Sequence, residues 1–365
     1  MNAPFPLREA TEGAARLLVP AVPRRKGPGT KGPWPFYNPT MAVNRDLAAI
    51  VLARWPHSLH SVLDGLAATG AWGIRMRLEA GLTHVEFNDH SPAATKLIRT
   101  NLRRNHLRGK VFMRELGPLV RSRPYDFVDI DSFGPPVPFL DDLMSSARIG
   151  FGFAITATDT AVLGGTYPDA CMRRYGARPY RCPQGPEIGL RILLGYCDRL
   201  AAEHGKTIRP ILSFAAEHFL RIYAIIGRPT ARSSGAFVRR RSAGEFIWSR
   251  DGAEAIGPLW GGPLHDAKLV RAMRPSMWTS PAVARLLSTL QGEADLPPFF
   301  VTTDELAARE RGSPPKLERF LERLRHDGYR AARTHFHPRG VRTDAPFDAV
   351  LDAFHGRLSS GSTDD

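Results

Sequence analysis

Cysteine is scarce in this chain: 365 residues hold only Cys171, Cys182 and Cys197, and no two of them form a Cys-x-x-Cys pair. An odd, scattered set excludes a disulfide framework and a four-cysteine zinc site, and it suits a reducing cytoplasm. The sequence also lacks an apolar run of roughly 18 residues, so no membrane span is expected. Acidic Glu9 and Glu12 near the N-terminus, and the lack of an apolar segment of signal-peptide length, speak against a secretory signal. There is no GxGxxG dinucleotide fingerprint and no internal repeat. His265, His335 and His337 lack a fourth partner at metal-binding spacing, so no metal is expected.

Positive charge, by contrast, is plentiful. Fifty Lys and Arg against 36 Asp and Glu leave a net charge of +14, and the isoelectric point is near 10.2. Basic residues cluster at Arg24-Arg25-Lys26, Arg99 to Arg108, Arg173-Arg174, Arg239-Arg240-Arg241 and Arg319 to Arg333. Such clusters fit a polyanion such as RNA, because each neutralised phosphate releases condensed counterions. A solvated arginine-rich surface is the plainer alternative. A hydrophobic content of 43% with mean hydropathy of −0.24 describes a soluble globular chain. Its length calls for two domains.

Residues 1–35, rich in Pro, Gly and basic side chains, read as a partly ordered N-terminal basic arm with one apolar stretch, Leu17-Leu18-Val19. A helix is expected after Asn44. Strands are expected over Leu59 to Asp64, Thr83 to Asn88, Lys110 to Met113, Tyr125 to Asp131 and Ile149 to Thr156, alternating with helices. Ser91-Pro92 marks a helix start, Ser as N-cap and Pro in the first turn. Pro186 to His204 reads as a long amphipathic helix, with Pro210 to Ala215 and Phe219 to Ile226 as adjacent strands. This rhythm predicts an α/β, doubly wound Rossmann-like sheet over residues 36–227. After Gly227 the rhythm stops, which places a second, smaller α+β domain at 228–358, with a helix over Lys316 to His326. The small polar tail, 359–365, reads as disordered.

Three acids fall at three successive strand ends. Leu63-Asp64-Gly-Leu-Ala-Ala-Thr69-Gly70 follows the first strand, and its small residues allow backbone to approach a ligand closely. Asp89 ends the second strand, where an acid takes the ribose hydroxyls of a nucleoside cofactor; capping the Ser91-Pro92 helix is its other reading. Glu115, after the third strand, is placed for an adenine amino group or for solvent. The fourth strand runs into Asp131-Ser132-Phe133-Gly134-Pro-Pro, a carboxylate beside a flat ring over the crevice where open α/β sheets bind ligands. An extruded nucleobase needs both features. A strand ending in a capped turn is the bland reading.

Several segments resemble the family of tRNA guanine-26 N2-dimethyltransferases. They are Phe36-Tyr37-Asn38-Pro39-Thr-Met41-Ala-Val-Asn44-Arg45-Asp46, Thr156-Ala-Thr158-Asp159-Thr160-Ala161, Gly165-Thr-Tyr-Pro168 and Glu187-Ile-Gly-Leu-Arg191. Gly257-Pro-Leu-Trp260-Gly-Gly-Pro-Leu-His265-Asp266 and Arg333-Thr-His335-Phe-His-Pro-Arg-Gly340 extend the likeness, from about residue 10 to about residue 350. The resemblance implies a methyltransferase fold over 36–227, S-adenosyl-L-methionine as cofactor, tRNA as partner held by the second domain and basic arms, and no obligate protein partner. It places Asp131 and Phe133 in the catalytic motif, Arg45, Asp64, Gly70, Arg75, Asp89 and Glu115 around the cofactor, and Thr158 and Asp159 toward the substrate. Three departures stand out: Ser132 replaces the usual proline, which leaves the turn less constrained; Trp72 stands where arginine is common; and Glu115 replaces aspartate. The four-cysteine zinc cluster of many relatives has no counterpart, since residues 228–365 contain no cysteine. Two other readings stay open: an amino-group methyltransferase for ribosomal RNA guanine or DNA adenine, and a non-catalytic tRNA-binding relative.

Overall fold

The computed structural model describes residues 5–21, 32, 34–229, 235–249, 252 and 254–356. The Arg24-Arg25-Lys26 cluster and the tail 359–365 lie outside them.

The chain opens on an antiparallel hairpin of β1 (Leu7–Glu12) and β2 (Ala15–Pro20). Within the stretch expected to be an N-terminal arm, these residues are a paired strand hairpin. Ala15, Leu17 and Val19 alternate into the core, as a half-buried strand requires. The outer edge of β2 is not left open. Asn101 accepts from Leu18 N at 2.7 Å and donates to Leu18 O at 3.0 Å, and Asn105 brackets Arg16 the same way at 2.9 and 2.8 Å.

There follow α1 (Ala42–Leu52), β3 (Val62–Asp64), α2 (Ala71–Glu79), β4 (Val85–Asn88), α3 (Pro92–Arg104), β5 (Val111–Phe112) and α4 (Leu116–Ser122). Then come β6 (Phe127–Asp131), α5 (Val137–Ser146), β7 (Gly152–Ala157), α6 (Thr160–Leu163), α7 (Pro168–Tyr175), α8 (Gly185–Glu203), β8 (Thr207–Ala216) and β9 (Phe219–Gly227). β3 starts later than the expected Leu59, since His60 and Ser61 donate their N–H groups to the Asp126 carboxylate, at 2.8 and 2.9 Å. The seven strands order as β5-β4-β3-β6-β7-β9-β8, with β3 to β7 parallel and β9 antiparallel to both neighbours. Strand order reverses between β3 and β6, so the crevice of this sheet opens beside the ends of those two strands. Those ends are Asp64 and Asp131.

Both sheet faces are covered, which explains why the strands read as nearly continuous apolar runs. Val128 and Ile130 join the cluster that includes Leu143, Leu193 and Leu194. Phe127 points the other way, against Trp55 and Trp72. Alternation along β6 puts Asp129 and Asp131 on the Phe127 face.

Beyond residue 228, β10 (Ala236–Ser242), β11 (Glu245–Ser249) and β12 (Ile256–Leu259) form one small sheet, while β13 (Val301–Thr302), β14 (Ala331–Arg333) and β15 (Gly340–Thr343) form another. Helices α9 (Ala267–Ala272), α10 (Pro281–Glu293), α11 (Thr303–Glu310), α12 (Leu317–His326) and α13 (Phe347–His355) surround them. These residues keep only part of their core to themselves, around Leu306, Phe320, Leu324 and Phe354. Val238, Trp260 and Phe300 join the α8 side of the sheet, and Val283, Leu287 and Leu290 join the α1 side. A buried ionic cluster pins the junction: Arg342 binds Glu187 at 2.8 Å and Glu293 at 3.0 Å, while Arg191 also binds Glu187 at 2.9 Å.

Candidate active site

A cavity of about 550 Å³ opens at the carboxyl ends of β3, β4 and β6. Asp64, Asp89, Glu115 and Asp131 line it, together with Arg45, Thr158 and Phe133. The four acids are not equivalent. Asp64 is buried and accepts Gly73 N at 3.0 Å; burial first, then the charge of Asp129, pushes its carboxyl well above the usual range. Asp89 accepts Ala68 N at 2.9 Å and Ser91 N at 2.9 Å. Asp89 therefore braces the β3 turn from the cavity wall and ties down the start of α3, the second of its two readings. Asp131 is half-buried, and its carboxylate accepts no hydrogen bond among the described residues. Its lone pairs face the cavity unused.

The turn that carries Asp131 is tightly held. Thr158 Oγ1 accepts from Gly134 N at 2.7 Å, and Thr158 N donates to Gly134 O at 3.2 Å. Ser132, expected to loosen the turn, is buried, and its hydroxyl donates to Thr156 O at 3.0 Å. Hydrogen bonds supply the constraint a proline ring would have supplied. Phe133 is half-exposed and meets Phe36 edge to face, ring centres 5.5 Å apart. Below, Asp129 and Arg221 form a buried ion pair, and Arg221 Nη1 donates to Thr156 Oγ1 at 2.7 Å. Burial raises Asp129 to about 7, against the opposing pull of Arg221 and with the Asp131 charge adding to the rise.

Not every expected residue reaches the cavity. Arg75 is fully buried and bonds Glu12, Asp46 and Glu79, so its part is structural. Gly70 precedes α2 with φ +78°, which glycine tolerates, and stands behind the cavity wall. Asp159 points away to Tyr175 Oη at 2.9 Å and Arg174 at 3.1 Å. Arg45 does line the cavity, but Glu12 holds its Nη2 at 2.7 Å.

Three cavity residues were given no role in sequence. Trp72 stacks parallel to Phe127, and its Nε1 is buried at the cavity without a partner. Asn38 Nδ2 is in the same state. Trp72 was visible only as a departure from a common arginine; Asn38 stood in a recognised segment with no role attached. His218, at the β8–β9 tip, completes the rim and had no signal at all.

The model of the family described as "N2,N2-dimethylguanosine tRNA methyltransferase" matches residues 29–243 and 245–355. The chain belongs to that family. It is 36% identical to a tRNA (guanine(26)-N(2))-dimethyltransferase of Aeropyrum pernix, over 99% of this chain and 100% of the relative. A Thermococcus kodakarensis enzyme of the same description is 38% identical, over 93% and 97%. The structure of Trm1 from Pyrococcus horikoshii in complex with S-adenosyl-L-methionine superposes with a TM-score of 0.84 at 31% identity, covering 95% of this chain and 99% of that one. As a Trm1-family chain, it holds no helix long and apolar enough to cross a membrane, and no cluster of three metal-ligating side chains, among the described residues. His335 instead bonds Glu293 and Ala215 N.

Proposed function

We infer that the acid-lined cavity carries out the family's reaction, transfer of methyl groups from S-adenosylmethionine to the exocyclic N2 of guanine 26 in tRNA, with Asp131 orienting and deprotonating that amino group. The observation that carries this reading is the unpartnered carboxylate of Asp131 on a rigid turn beside the apolar Phe36–Phe133 pair, whereas Asp64 and Asp89 already accept backbone N–H groups and Glu115 is exposed at the rim.

The residues present fit the donor. Four carboxylates around one cavity favour a ligand that brings cationic sulfonium and ammonium groups. The unpartnered N–H groups of Trp72 and Asn38, with Arg45, offer donors for its carboxylate. In this reading Asp89 takes the ribose hydroxyls with its remaining lone pairs and Glu115 takes the adenine amino group. S-adenosylmethionine, when bound, supplies an electrophilic methyl.

Guanine N2 is a poor nucleophile because its lone pair is delocalised into the ring. A carboxylate that accepts an N2–H bond favours the pyramidal nitrogen and aims its lone pair. Asp131 takes one proton for each methyl added, and its half-exposed position lets it return that proton to solvent. The Ser132 and Thr158 bonds keep the carboxylate still while charge develops, and the Phe36–Phe133 pair forms an apolar wall for the base. The basic clusters and the smaller domain hold the tRNA backbone, and the reading places the enzyme in the cytoplasm without an obligate protein partner.

The test is direct. Unmodified tRNA and methyl-labelled donor are incubated with the protein, and the digested nucleosides are separated. Label is expected in N2-methylated guanosine. Label in adenosine, or tRNA binding with no label, would overturn the assignment.

A further inference from the structure

A second cavity, of about 420 Å³, lies beside the first. Two short segments border both. Thr158 lines the first cavity and Thr160 and Ala161 the second; His218 lines the first and Glu217 and Phe219 the second. The β8–β9 hairpin tip therefore stands as a divider between them. Glu217 at that tip has φ +48°, a left-handed conformation unusual for a side chain-bearing residue. Strain of that kind tends to mark sites where backbone shape is needed.

We propose that this second cavity receives the base of a nucleotide adjoining the methylated guanine in the same RNA strand. The proposal rests on the first cavity being the methylation centre. Extruding a guanine costs stacking energy, and the neighbour loses a partner on one side. The second cavity offers a replacement. Phe219 and Phe336 are among its lining residues, both nearly buried, and Phe336 is backed by Phe300, with ring planes 3° from parallel at 6.1 Å. His335 is anchored at both ring nitrogens, to Ala215 N at 3.2 Å and to Glu293, so this wall is rigid. The hydroxyls of Thr160 and Thr166 and the carboxylate of Glu217 have no partner among the described residues. Rings with free hydroxyls and an acid suit the edge and face of a nucleobase, whereas the Glu217 charge disfavours a phosphate.

The test combines cavity filling with altered RNA. Ala161 is exposed on the cavity rim, so Ala161→Trp occupies the space without disturbing the core. The variant is expected to raise KM for tRNA about ten-fold, the loss of one base stack, with donor affinity and melting temperature unchanged. Wild-type enzyme is expected to lose a similar factor on tRNA made abasic at one neighbour of the target guanine, and Ala161→Trp to lose little more on that RNA. Wild-type kinetics for Ala161→Trp, no effect of an abasic neighbour on the wild type, or losses that multiply in the variant would overturn the subsite. If Ala161→Trp does not fold, the abasic series on the wild type decides alone. Absence of methyl transfer by the wild type to unaltered tRNA would sink the methylation reading itself.

Discussion

Glu12→Gln is the change whose consequence is best fixed by the geometry. Glu12 is buried on β1 and binds Arg45 on α1 and Arg75 on α2, so one carboxylate joins the hairpin to both helices behind the cavity. Burial pushes this carboxyl up, but Arg45 and then Arg75 outweigh it and bring it from 4.5 down to about 2. A depression of that size corresponds to about 3 kcal/mol of stability at neutral pH. The unfolded chain binds the proton more tightly, so the stabilisation is complete above about pH 4.5 and is lost as pH falls toward about 2. Urea midpoints of wild type and Glu12→Gln should differ fully near neutral pH and converge on acidification. Arg45, released from its partner, should also raise KM for the methyl donor. A midpoint difference that is absent, or that stays constant through the acid range, would refute the reasoning.

Arg342→Leu removes the cation between Glu187 and Glu293 at the domain junction; a loss of about 3–5 kcal/mol is expected in chemical denaturation. Thr158→Val removes the acceptor for Gly134 N while keeping side-chain volume; kcat should fall about ten-fold with donor affinity unchanged in titration calorimetry, because the turn loosens and the cofactor walls do not. Affinity for tRNA should fall about a thousand-fold between roughly 50 and 200 mM salt in filter binding, and a flat response would remove the basic clusters from the tRNA surface.

Much of this fold was legible because its signals are local. The β3 to β7 strands are short apolar runs, with acids at or just after the ends of β3, β4 and β6, and Ser91-Pro92 starts α3 as its chemistry requires. The N-terminal hairpin was not legible. Its Leu17 and Val19 look like a stray apolar pair until α3, more than 80 residues on, presents Asn101 and Asn105 to the strand edge. The cavity acids could be read from strand-end position alone, but their partners could not: Asp64 gives one oxygen, and Asp89 both, to backbone N–H groups of α2, the β3 turn and the start of α3. Arg75 and Asp159 sat in promising segments and are turned to partners elsewhere in the fold. Ser132 shows the same limit: its hydroxyl bond to Thr156 depends on β7 lying alongside β6.

The most direct measurement is single-turnover methylation of unmodified tRNA by Asp131→Asn. The shape of the turn survives this change and the donor site is untouched, so donor binding should match the wild type while the rate drops by about a hundred- to ten-thousand-fold. A variant that binds the donor and methylates guanine at close to the wild-type rate would contradict the assignment of Asp131.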